Sequence, residues 1–139
     1  MGQIKVESAK GDLVLIIEPE ETPDDQPASY YNVSIMGSGL NATITVYDGM
    51  WLLGVTLWGF FEFMNLHKEG WSGEHIRRSM EEDFILVATT DKLGKIEVRI
   101  ILDKITLPTP WKLEATIYLY ASQLPEIVSQ IRRSCKGDW

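Results

Sequence analysis

The segment Lys95–Asp103, with the sequence KIEVRIILD, decides the fold class of this chain because apolar and polar side chains alternate along it. Successive side chains of a β-strand point to opposite faces, so a period of two residues predicts a strand with one buried and one solvated face. The buried face takes Ile96, Val98, Ile100 and Leu102, and the solvated face takes Lys95, Glu97, Arg99 and Asp103. The apolar segment Phe84–Thr90 and the turn signal Asp91–Gly94 come directly before it, which predicts an antiparallel hairpin.

Strand signals of the same kind recur along the rest of the chain. They cover the segments Ile4–Ser8, Leu13–Glu18, Tyr30–Met36, Leu40–Tyr47 and Trp111–Tyr120. The connections Lys10–Asp12 and Gly37–Gly39 are short and contain glycine, as hairpin turns require. Leu13–Ile17 is apolar at every position, which predicts a strand covered on both faces. We expect Glu74–Asp83 to be a loop or a short turn.

Two segments change to a helical period. Thr56 is a suitable N-cap for a helix whose apolar stripe is Leu57, Phe60, Phe61 and Met64. Ser122 is the expected N-cap of a closing helix, with Pro125 in its first turn and the stripe Leu124, Ile127, Val128, Ile131 and Cys135. Met50–Val55 fits either a strand or an early helical turn. The prediction is an α+β fold: an antiparallel sheet of about six strands with two helices packed on one face.

Composition limits the classes of protein to which the chain can belong. Residues 1–139 suit a single domain, in which Pro19–Pro27 is an acidic, proline-rich surface loop. A lone cysteine, Cys135, and the lack of a signal peptide or a long apolar segment lead us to expect a cytoplasmic protein without membrane contact. The net charge of −7 would repel a phosphate backbone, so we expect no nucleic acid partner. The same charge would attract a basic protein partner; in the alternative reading it serves solubility alone.

Few residues in the chain suit catalysis. The nine residues 67–75 contain the two histidines of the chain and two carboxylates: His67, Glu69, Glu74 and His75. Imidazole and carboxylate groups are ligands for zinc or nickel, but this spacing matches no metal motif and lacks the i, i+4 histidine pair of HExxH. We therefore expect no catalytic residue, no metal and no cofactor. A small-molecule-binding or metal-dependent hydrolytic domain that uses these four residues is the alternative.

A binding surface is better supported by the sequence. The helical period places Trp58 beside Glu62, Asn65 and Glu69, and Trp71 follows in a loop between glycines. Exposed tryptophans are enriched among interface hot spots because they bury a large area at a small entropic cost. We expect a partner-binding surface made of Trp58, Glu62, Asn65, Glu69 and Trp71. In the alternative reading, Met50–Val55, with Trp51, covers Trp58 and makes it part of the core.

From Phe60 onward, the order of short motifs resembles a family of small bacterial domains of unknown function. The motifs are FFEFMNL at 60–66, GWSG at 70–73, SME at 79–81, FILVATT at 84–90, DKLG at 91–94, KIEVRIIL at 95–102, Trp111 and LPEIVSQI at 124–131. The chain departs from this pattern at Arg77–Arg78, where the family has a second tryptophan before the serine. The resemblance implies no activity or catalytic set. By size and acidity alone, the chain is similar to immunity proteins that neutralise bacterial toxins.

These observations predict an uncharacterised, non-enzymatic domain that binds a protein, with a basic, toxin-like partner as the expected class. Homodimerisation through a sheet edge or an outer sheet face is compatible with this function and stays open.

Overall fold

The computed structural model describes residues 2–20, 30–47, 56–91, 93–105 and 108–134. Met50–Val55, Cys135 and most of the predicted acidic loop lie outside these residues. The described residues form the strands β1 Ile4–Glu7, β2 Val14–Pro19, β3 Tyr30–Gly37, β4 Leu40–Tyr47, β5 His75–Arg78, β6 Phe84–Thr90, β7 Ile96–Lys104 and β8 Trp111–Leu119. The helices are α1 Leu57–Leu66, a 3-10 turn Ala121–Gln123, and α2 Leu124–Ser134.

The strands form two four-stranded antiparallel sheets, ordered β1-β2-β3-β4 and β5-β6-β7-β8. The α+β class and the antiparallel hairpins are confirmed, but the prediction of one sheet with about six strands is wrong. Side-chain alternation indicates which face of each strand is buried, and a turn indicates which strand pairs with the next. Neither signal shows whether the hairpins β1–β4 and the hairpins β5–β8 join edge to edge in one sheet. Helix α1 lies between β4 and β5 in the sequence, so the strands of the first sheet all precede it and those of the second sheet all follow it.

Strand β5 lies inside the segment Glu74–Asp83, for which we expected a loop. It is four residues long and carries His75, Arg77 and Arg78, so its sequence contains almost no apolar alternation. Its strand conformation comes from pairing with β6, in the register Ile76 opposite Val87. In β5, pairing with a neighbouring strand outweighs the intrinsic conformational preference of the residues, as is common in β-sheets.

One apolar cluster joins the inner faces of both sheets and the stripes of both helices. The two sheets meet where the Tyr31 ring lies edge-on to Phe84, with 6.1 Å between ring centroids. At the same place the buried Arg77 Nη1 donates a hydrogen bond to the Tyr31 hydroxyl, 3.2 Å away. In β2 only Leu15 and Ile17 are fully buried, so the expectation that this strand is covered on both faces is wrong.

The helix predictions are confirmed at α1 and corrected at α2. Thr56 Oγ1 accepts a hydrogen bond from Gly59 N at 2.9 Å, as an N-cap does. The predicted apolar stripes are buried in both helices within the described residues. Ser122, however, lies in the 3-10 turn and is not the N-cap of α2. With 10 and 11 residues, neither described helix is long enough to cross a bilayer.

Helix α2 packs against α1 and β1 and covers the outer edge of β1. Gln130 Oε1 accepts from Lys5 N at 2.8 Å, and Gln130 Nε2 donates to Lys5 O at 3.2 Å. Gln123 Nε2 donates to Glu7 O at 2.9 Å. These bonds occupy backbone groups that an exposed edge strand would offer to another chain.

Candidate functional site

Helix α1 is apolar on almost every side, because Glu62 is the one charged residue in LWGFFEFMNL. Such a helix is normally buried all round. Here one side stays accessible: Trp58 and Phe63 are half-buried, and Leu66 is 69% exposed. At about 100° per residue, Leu66 lies about 80° from Trp58 and about 60° from Phe63 around the helix axis, between the two aromatic side chains. We call Trp58, Glu62, Phe63, Leu66 and His67 the α1 outer surface.

On one flank of this surface, Arg132 of α2 contacts two of the predicted site residues. Its guanidinium carbon lies 4.8 Å from the centroid of the Trp58 ring, and its Nη2 lies 3.9 Å from Glu62 Oε2. Asn65 Nδ2 donates to Glu62 Oε1 at 3.1 Å. The structure therefore brings together Trp58, Glu62 and Asn65, with Trp58 half-covered rather than fully exposed. Arg132 was not predicted, because helical periodicity does not show which helix packs alongside.

On the other flank, four rings form a stack. Phe63 lies 4.3 Å from His67 and 4.0 Å from His75 between centroids, with interplanar angles of 26° and 25°. His75 also stacks on Phe60 at 4.7 Å and 10°. Two rings cannot share one face of a third ring at such distances. The order along the stack is therefore Phe60, His75, Phe63, His67.

Hydrogen bonds to the α1 backbone hold both imidazoles. His67 Nδ1 lies 2.8 Å from Phe63 O, and His75 Nε2 lies 3.2 Å from Phe60 O. A carbonyl oxygen only accepts, so each of these ring nitrogens carries the proton that it donates. Burial lowers the pKa of His75 below 6.5, the backbone bond to Phe60 opposes this, and the nearby His67 lowers it further.

Trp71 packs edge-on against the ring stack and is not part of the group around Trp58. Its ring lies edge-on to Phe63, at 5.6 Å and 71°, and its Nε1 donates to Ala88 O at 3.3 Å. Gly70, with φ +109°, precedes it; a Cβ there would meet Thr90 Oγ1 at 3.1 Å, so glycine permits the close approach of this loop to β6. Four of the five predicted partner-binding residues thus occupy two flanks of α1, and the fifth, Glu69, lies exposed beyond the end of the helix.

The four residues of the hydrolytic alternative do not converge. The Phe63 ring separates the two imidazoles, and Glu69 and Glu74 are exposed. Across the described ranges, no group of three or more His, Cys, Asp or Glu side chains is arranged to hold a metal ion. Sequence reasoning had one signal for the stack, the i, i+4 spacing of Phe63 and His67 on a helix. It had no signal for His75, which comes from β5.

Comparison with known proteins identifies the family of the chain. A family model described as a family of unknown function, DUF6228, matches residues 6–138. The match covers nearly the whole chain, so the chain belongs to this family, and the predicted membership of a family of unknown function is confirmed. No curated protein and no solved structure matches significantly.

Proposed function

We propose that this member of the DUF6228 family is a non-enzymatic domain that binds a basic protein partner through the α1 outer surface. Immunity proteins, which hold a toxin in an inactive complex, are the class of binder that this proposal fits by size and acidity.

The observation that carries the proposal is Leu66, which is 69% exposed between half-buried aromatic side chains. Interfaces typically combine an apolar, aromatic centre with a polar rim. Leu66 and Phe63 of α1 supply the centre, and Glu62 of α1 and the exposed Glu69 beyond its end supply the rim. A rigid helix that already buries its opposite face presents these side chains at little entropic cost.

Charge supports a basic partner. The chain has a net charge of −7, which accelerates the approach of a positively charged protein and repels an acidic one. Glu69, which follows the end of α1, and Glu74, which precedes β5, are both exposed. The Arg132 guanidinium is already engaged with Glu62 and the Trp58 ring, which reduces its repulsion of an incoming cation.

The test compares two exposed leucines. Leu66→Glu places a charge at the centre of the surface, whereas Leu93→Glu makes the same change in the β6–β7 turn, where Leu93 is 93% exposed. Both variants should fold, since each leucine is mostly in water; circular dichroism and thermal unfolding check this. The wild-type chain and both variants are immobilised at equal density, and proteins captured from a lysate of the source organism are identified and then purified.

We expect a partner of high isoelectric point whose dissociation constant rises at least about tenfold with Leu66→Glu and is unchanged with Leu93→Glu. Binding should also weaken with added salt. Equal affinity of both variants for every captured protein would refute the site, and a set of exclusively acidic partners would refute the partner class.

A further inference from the structure

A second concave site lies away from the α1 outer surface, between the two sheets. It is a cleft of about 640 Å³, bounded on one side by the β3 and β4 residues Tyr30 and Tyr47. On the other side it is bounded by Glu81 and Asp83 of the β5–β6 turn and by Asp103 and Lys104 at the end of β7. This volume falls within the range of small-molecule sites.

Asp83 and Asp103 lie at opposite positions where the β6–β7 pairing ends. The β6–β7 register pairs Phe84 with Leu102, and one position further Asp103 N donates to Asp83 O at 2.9 Å. Like charges at opposite positions of an antiparallel pair destabilise a sheet. Asp83 Oδ1 accepts a bond from Ser79 Oγ, but in the described part of the chain no ion pair neutralises Asp83 or Asp103, although Lys112 is the cross-strand neighbour of Asp103 on β8.

The opposite wall supplies aromatic faces. Tyr30 and Tyr47 are register partners whose rings lie 5.0 Å apart at 55°. Tyr30 is 46% exposed. Tyrosine faces attract organic cations, and guanidinium and ammonium groups also form charge-assisted hydrogen bonds with carboxylates.

We propose that this cleft binds an organic cation, an alkylguanidinium or alkylammonium group, between the tyrosine pair and the carboxylates. Among the described residues that line the cleft, three carry a carboxylate and one, Lys104, carries an ammonium group, so the cleft attracts positive charge. A bound cation would relieve the repulsion between Asp83 and Asp103. The hydroxyls of Thr43 and Thr45, which also line the cleft, offer further polar contacts. This site is separate from the α1 outer surface and does not depend on the proposed protein partner.

The test uses Nα-acetyl-arginine amide as the probe and Nα-acetyl-citrulline amide as its neutral isostere, measured by isothermal titration calorimetry. The wild-type chain should bind the arginine probe at about millimolar concentration or below and should not bind the citrulline probe. Asp103→Asn should weaken binding at least about tenfold, because it removes a carboxylate ligand. The matched control is Glu97→Gln, an exposed carboxylate on the same strand outside the cleft, which should leave binding unchanged.

We expect Asp103→Asn to fold, because it removes a like-charge pair. Its melting temperature, which should not be lower than that of the wild type, checks this. Tyr30→Leu is the second variant and should weaken binding of the arginine probe by removing an aromatic face. The proposal is overturned if the two probes bind alike, if neither binds, or if Glu97→Gln and Asp103→Asn have equal effects.

A glycine pentapeptide with a central arginine tests whether the natural cation is a protein side chain or a free small molecule. Binding at least about tenfold tighter than the single amide supports a protein side chain as the natural ligand, because flanking backbone then contributes. Equal affinity supports a free small cation. Both outcomes support the cleft as a cation site, and both are independent of the Leu66→Glu experiment.

Discussion

The hydrogen bond between Arg77 and Tyr31 joins the two sheets, and its removal tests how they are held together. Arg77 is 5% exposed and Tyr31 is 2% exposed, so the bond lies in the core. Tyr31→Phe removes only the hydroxyl and keeps the ring that lies edge-on to Phe84. The buried guanidinium loses this acceptor.

Hydrogen bonds to charged groups contribute about 1.5–3 kcal/mol, so we expect Tyr31→Phe to lower the free energy of unfolding by about 2 kcal/mol. For 139 residues the unfolding entropy is about 0.3 kcal/mol/K, which converts this loss to about 7 °C in melting temperature. Tyr30→Phe is the matched control. Tyr30 precedes Tyr31 on the opposite, exposed face of β3, so its change should stay within about 0.5 kcal/mol.

The assay is urea unfolding followed by tryptophan fluorescence and circular dichroism, for each variant alone and combined with Arg77→Met. If the Arg77–Tyr31 bond causes the loss of stability, Tyr31→Phe in the Arg77→Met background should lower the free energy of unfolding by less than about 0.5 kcal/mol. An equal cost in both backgrounds would refute the reasoning, as would a loss in Tyr30→Phe as large as in Tyr31→Phe.

Three further predictions concern stability. Because the pKa of His75 is lowered in the folded chain, the unfolded chain binds a proton first as pH falls. The neutral His75 side chain therefore stabilises the fold above about pH 6.5, and this contribution is lost as pH falls through the lowered pKa. His75→Phe keeps the stack and should make the free energy of unfolding depend less on pH over this window; an unaltered pH profile would contradict this. Gln130→Ala removes both bonds to Lys5 and should lower the free energy of unfolding in urea by about 1–2 kcal/mol. It should also increase light scattering, because the β1 edge becomes free to pair with another chain. A fully monomeric variant of wild-type stability would count against this. Ser79→Ala removes the acceptor of the Phe84 amide and should cost about 1–3 kcal/mol in the same assay; a loss below about 0.5 kcal/mol would mean that water replaces the hydroxyl.

Much of the local structure follows from the sequence. The strand signals and the glycine-containing turns predict seven of the eight strands in the described residues, and Thr56 with the stripe from Leu57 to Met64 predicts α1. These features depend on residues a few positions apart, where backbone geometry decides which side chains share a face. The exception is β5, which acquires strand conformation by pairing with β6.

The candidate site follows only in part. The sequence indicates an aromatic surface on α1, and Trp58, Glu62 and Asn65 do lie together. It does not indicate that Arg132 covers Trp58, because that contact joins two helices far apart in the chain.

What the sequence by itself determined is the α+β class, the antiparallel hairpins, the helix stripes and the acidic charge, all of which depend on composition or on short spacing. Tertiary structure alone decided that the strands separate into two sheets, that His75 lies between Phe60 and Phe63, and that Asp83 lies opposite Asp103. The physical reason is that burial of apolar area is non-directional: it requires that the inner faces be covered but does not specify by which element. Steric fit and hydrogen bonding between distant segments make that choice.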